Sequence, residues 1–188
     1  TVSRSNQEVG KFLFPAFGRG TYNEVVAQVL ANKERGANLP TGEQCAFFLD
    51  EAYNSEREEV KNSARTKFVR VYIMSNGWLW VPVVNIWTPR NIDNPGKYGV
   101  FDENGKGLGR VYTTEELEDR LSGGRTERGV RFGNNVSFAP LNTIHEGEYH
   151  KEYILAQDGA YIGNYGIEGA EAIDRLAKQF PFKPYSWI

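Results

Sequence analysis

The sequence predicts an α+β protein: a mainly antiparallel sheet built from hairpins, packed with N-terminal helices and one C-terminal helix, as a single domain over residues 1–188. Three features predict it. A Ser or Thr followed three residues later by Glu or Gln opens several helical stretches. Turns rich in glycine and asparagine separate pairs of β-rich runs. The alternation of strand and helix that builds parallel βαβ sheets is missing, so Rossmann and P-loop architectures are not expected.

The first helix is predicted from Thr21, whose oxygen can accept a backbone N–H while Glu24 reaches back to the cap. Tyr22, Val25, Val26, Val29 and Leu30 then follow at helical spacing, to about Arg35, with Gly36 as the stop. The same signature at Thr41 and Gln44 opens a second helix with Cys45, Phe48, Leu49 and Ala52 on one face. Ser55 to Glu58 matches the pattern again and predicts a short, polar helix. Thr113 to Glu116 predicts another, through Leu117 and Leu121, ended by Gly123 and Gly124. A last helix is predicted over about Ile167 to Phe180, where Pro181 forbids extension.

Strands are expected between these helices. Residues 67–74 and 78–87 flank Asn76-Gly77, a strong hairpin signal. Pairing about that turn leaves both faces largely apolar, so Trp78 and Trp80 are expected in the core. Pro82 has no N–H to give a two-residue turn's ladder, which points to a four-residue loop or a bulge. Residues 97–101 and 108–112 flank a second turn, and Val130 and Val136 flank a third at Gly133-Asn134-Asn135. A fourth hairpin is predicted about Gln157-Asp158, with Gly159 to Gly163 as its second strand.

Charge and composition bound the function. Lys plus Arg is 22 against 24 for Asp plus Glu, a net charge of −2, unlike a dedicated duplex-DNA binder. Cys45 is the one cysteine, which suits a reducing compartment, and a cytoplasmic location is expected. No stretch approaches the roughly 18 apolar residues of a membrane span, so a membrane partner is not expected.

Aromatic residues form 13 % of the chain. The segment Phe180 to Ile188 carries Phe182, Tyr185 and Trp187, and Trp87 with Arg90 marks the end of a predicted strand. Aromatic surface of this extent docks on its own chain or on something else. Trp87, Arg90, Tyr185 and Trp187 are therefore the candidate binding residues. Docking of the tail on the protein's own sheet or beside its last helix is the expected arrangement, with a homo-oligomer or a protein partner engaged through the aromatic tails as the alternative.

The enzymatic alternative is a thiol hydrolase. Cys45 lies in the first turn of a capped helix, where the dipole favours a thiolate. His145 or His150 would be the base, and Asp158 or Asn164 could orient it. This chain order resembles that of papain-like proteases, without the family's residues around the nucleophile. Against it, Cys45 shares a face with Phe48, Leu49 and Ala52 and should point inward, as a small hydrophobe.

Metal and cofactor sites are not expected. His145 and His150 are five residues apart, so on a helix they diverge and on a strand they face opposite sides. Asp102 to Gly107 resembles a calcium loop, but Lys106 and Thr113 stand where oxygen donors belong. Ala160 to Gly169 resembles half of the GIY-YIG nuclease signature and lacks the other half. Arg120, Arg125, Arg128 and Arg131 with Phe132 and Phe138 allow a single-stranded nucleic-acid reading. Glu115, Glu116, Glu118, Asp119 and Glu127 lie among them, so paired surface charge is expected and nucleic acid is not.

Overall fold

A computed structural model describes residues 2–4, 7–10, 21–35, 38–70, 84–86, 96–101, 106–107, 109–134, 136–145 and 154–179. The chain is α+β, as the sequence predicts, and groups into two compact units, Thr1–Pro82 and Val83–Ile188. The Asn76-Gly77 turn, Trp78, Trp80 and Pro82 lie outside the described residues.

The first unit opens with an antiparallel pair, β1 (Val2–Arg4) and β2 (Gln7–Gly10), followed by α1 (Tyr22–Ala31) and α2 (Gly42–Asn54). Both helices start where the sequence places them. Thr21 and Thr41 accept the backbone N–H of Glu24 and Gln44, whose side chains accept the N–H of the capping residue in return. α1 ends earlier than expected, at Ala31, and a 3₁₀ turn over Lys33–Arg35 follows it. α2 packs against β1 and buries Cys45, Ala46, Leu49 and Ala52 along one stripe.

Two expectations fail beyond α2. Ser55 does not open a helix, because α2 runs up to it: Ser55 caps the C-terminal end of α2, and its hydroxyl donates to Glu51. The short helix α3 (Glu58–Lys61) starts at Arg57 with no side-chain cap. Residues Lys67 to Arg70, predicted as the start of a strand, are helical: α4 (Ala64–Phe68) continues as a wider turn through Arg70. Tertiary contact holds that turn. Arg70 donates from Nε to the Ala52 carbonyl (2.7 Å) and from Nη2 to that of Tyr53 (3.4 Å), closing α2. The Tyr53 hydroxyl donates back to the Arg70 carbonyl (3.2 Å). These carbonyls belong to the last turn of α2, where a cation is favoured.

The second unit is built on a four-stranded sheet ordered β3 (Val84–Ile86), β6 (Val136–Phe138), β5 (Val130–Phe132), β4 (Thr126–Glu127). β4, β5 and β6 run antiparallel, and β3 pairs parallel to β6 with Val84 opposite Val136. The turn at Gly133 joins β5 to β6 as predicted, and Tyr98 pairs with Tyr112 across the second predicted hairpin. The turn between β4 and β5 was not legible. It consists of Arg128 and Gly129, at φ 46° and 82°, the left-handed pair that matches the twist of a two-residue hairpin.

Thr113 caps α5 (Thr114–Leu121) as predicted, and Leu117 and Leu121 are buried against Tyr112 and Val136. The end of α5 passes very close to the end of β5. A Cβ on Gly124 would lie 1.6 Å from the Phe132 carbonyl, and one on Gly133 2.0 Å from that of Arg120, so neither position admits a side chain.

The fourth predicted hairpin is absent. Residues Leu155–Gln157 form a 3₁₀ turn, and Gly159 to Gly163 begin α6 (Gly159–Gln179), the long helix that packs on β3, β4, β5 and β6. α6 is two helices joined at Gly166, which has φ 70° and ψ 168°. Only its second part was predicted. One cluster buries Phe101, Val130, Ala139 and Ile144 with Ala160 and Ile162 of its first part.

Replacing Thr41 with Ala is expected to lower stability by about 1 kcal/mol, measured as a shift of the urea midpoint at unchanged slope. Replacing Ser55 with Ala removes no helix start; a loss of α3 helicity in that variant would contradict its place at the end of α2.

Candidate functional site

A polar network gathers on the turn Leu155–Gln157, just before α6. Its physical problem is a tight turn whose backbone lies in the core: Leu155 is fully buried and Ala156 is buried beside it. Buried N–H and C=O groups need partners. Side chains from two other elements supply them, and Asp158, at the end of the turn, holds the backbone that follows it and that of His145. Asp174, from α6, accepts the Leu155 N–H at 3.1 Å. Arg128, from the β4–β5 turn, donates Nη1 to the Ala156 carbonyl at 2.6 Å. Asp158 accepts the Ala160 N–H at 2.7 Å through Oδ1, capping the first part of α6, and the His145 N–H at 3.2 Å through Oδ2.

Two residues singled out in the sequence therefore meet here. Asp158 takes the backbone N–H of His145. Asp158 is 2 % exposed and Asp174 8 %, and the second oxygen of Asp174 accepts from Lys178 Nζ at 2.5 Å. Carboxylates so engaged stabilise backbone geometry. Asp174 and Arg128 were missed as members of this network. The signal for Asp174 was present: it interrupts the apolar stripe of Ala170, Ile173 and Ala177, and a charge inside such a stripe needs a buried partner. Arg128 carried no such signal.

Cys45 belongs to the first unit. It is 4 % exposed on the inner face of α2, and burial pushes its thiol up to about 12. The helix N-terminus favours a thiolate by a modest amount, and loss of hydration opposes it more strongly. His150, Trp87, Arg90, Tyr185 and Trp187 lie outside the described residues, as does the segment of Glu146 and Glu148. No group of three or more His, Cys, Asp or Glu suited to a metal occurs among the described residues, and none of their helices is long and apolar enough to cross a membrane.

Three arginines of the run, Arg125, Arg128 and Arg131, are engaged with carboxylates or backbone. Arg131 makes a two-pronged pair with Glu118, both at 2.7 Å, which holds the Glu118 carboxyl below its ordinary value. Arg125 donates to Glu127 at 2.5 Å and lies over the Phe132 ring, 4.5 Å from its centre. Arg128 is committed to the Ala156 carbonyl. No family model, no curated protein and no solved structure matches this chain.

Replacing Asp174 with Ala strands the buried Leu155 N–H. The expected loss is about 1–3 kcal/mol of unfolding free energy, read by chemical denaturation. An unchanged midpoint would show that the turn holds without Asp174.

Proposed function

We propose that this protein is a binding module that meets another protein chain through aromatic surface, with Trp87, Arg90, Tyr185 and Trp187 as contact residues, in a reducing compartment such as the cytoplasm. The observation that carries this reading over the thiol hydrolase is the state of Cys45. A nucleophile must be exposed and readily ionised. Cys45 is 4 % exposed, with its thiol pushed up to about 12. The buried polar groups near His145 are spent on backbone partners, which suits a scaffold more than a catalytic centre. The engagement of Arg125, Arg128 and Arg131 lends nothing to the nucleic-acid reading.

The thiol prediction is direct. Native protein at pH 7 is expected to resist a thiol reagent and to react once unfolded. Because the folded thiol titrates far above its ordinary value of 9.0, its contribution to stability is complete below pH 9 and declines as the pH rises from 9 towards 12. Replacing Cys45 with Ala should flatten that alkaline decline. Rapid labelling of the native protein would instead restore the hydrolase.

The binding reading is tested by deleting residues 182–188 and measuring size and melting temperature together. A smaller assembly at unchanged melting temperature is expected. A lowered melting temperature at unchanged size assigns Tyr185 and Trp187 to the protein's own core and overturns the reading.

A further inference from the structure

At the break in α6 a specific pair of backbone groups takes partners from outside the helix. In a continuous helix the Ile167 N–H would donate to the carbonyl four residues earlier, that of Gly163. Gly166, at φ 70° and ψ 168°, takes the chain out of helical geometry between them. Two side chains of the sheet take up the two halves of that bond. Glu127, from β4, accepts the Ile167 N–H through Oε2 at 2.8 Å. Ser137, from β6, donates its hydroxyl to the Gly163 carbonyl at 2.8 Å. Glu127 is steadied in turn by Arg125, and Ser137 is fully buried.

The groups satisfied by the sheet are thus the ones that would satisfy each other if the helix were straight. Glycine permits both states at position 166: it reaches positive φ at little cost and also accepts helical φ. We propose that residues 159–179 form a two-state element, latched in its bent state by Glu127 and Ser137, whose other state is one continuous helix with Ile167 bonded to Gly163. Glu127 and Ser137 are positioning residues for the bend. Their release re-aims the segment from Ile167 to Gln179 relative to the sheet, which makes the latch a conformational device of the kind that ligands or partners bias.

The test is NMR of the full chain carrying Glu127→Ala and Ser137→Ala together. The carbon shifts of Gly166 report its φ, and the coupling across the hydrogen bond reports the acceptor of the Ile167 N–H. In the unaltered protein Gly166 should show positive-φ shifts and Ile167 no coupling to the Gly163 carbonyl. In the double variant the shifts should become helical and that coupling should emerge. Glu127→Gln with Ser137→Thr keeps an acceptor and a hydroxyl, and should keep the bend. Melting gives a second reading. Gly166→Ala should lower the melting temperature of the unaltered protein, where φ is positive, and raise that of the double variant, where it is helical. A double variant whose Gly166 keeps its positive-φ shifts overturns the proposal, because packing alone then fixes the bend. A double variant that cannot fold overturns it as well, because a straight helix would leave neither backbone group orphaned.

Discussion

The second unit rests on one constraint: a helix laid against β3, β4, β5 and β6 has to change direction without stranding a backbone hydrogen bond in the core. Gly166 supplies the change of direction. The sheet supplies the missing partners from β4 and β6. Much of the neighbouring architecture serves those two contacts. The β4–β5 turn brings Glu127 to the helix and, one residue later, Arg128 to the Ala156 carbonyl. The turn before α6 is fixed by Asp174 from α6 itself. The hairpin's side chains therefore hold the backbone of both the helix and the turn, and the helix holds the turn through Asp174.

The first unit applies the same economy differently. Arg70 closes the C-terminal end of α2, and the Tyr53 hydroxyl fixes the turn that carries Arg70. In both units buried or partly buried polar side chains are bonded to main chain, as Arg70 is in the first and Arg128, Ser137, Asp158 and Asp174 are in the second. Charged pairs on the surface, such as Lys61 with Glu58 and Arg110 with Glu116, are screened by solvent and contribute little. The energetic weight lies with buried main-chain partners and apolar packing, since an orphaned buried group costs more than an exposed ion pair returns.

This use of polar groups also shapes the functional reading. Catalysis needs side chains aimed at a substrate and ready to change protonation or form a bond. Asp158 and Asp174 face backbone donors, and Cys45 faces the apolar side of α2. The proposed interaction role asks for no such side chain.

What the sequence alone determined are features whose causes lie within one turn of chain. The capping residues Thr21, Thr41 and Thr113 open their helices because cap and partner are three residues apart. The turn at Gly133 joins two strands because its own residues favour it. The inward aim of Cys45 follows from its spacing to Leu49 and Ala52. Tertiary structure decided the rest. Ser55 carries the same local signal as Thr41, yet α2 reaches it first and uses it as an end. Gly159 to Gly163 has strand-like residues, yet Asp158 caps it as a helix, and Gly159 fits where a Cβ would lie 2.1 Å from the Thr143 hydroxyl. Arg128 takes positive φ while its guanidinium is held by a carbonyl 28 residues away. The bond from Ile167 to Glu127 spans 40 residues, and β3 pairs with a strand far along the chain. Periodicity and capping carry no information across such distances, because those contacts exist only once the chain has collapsed and each buried backbone group must find whichever partner lies beside it.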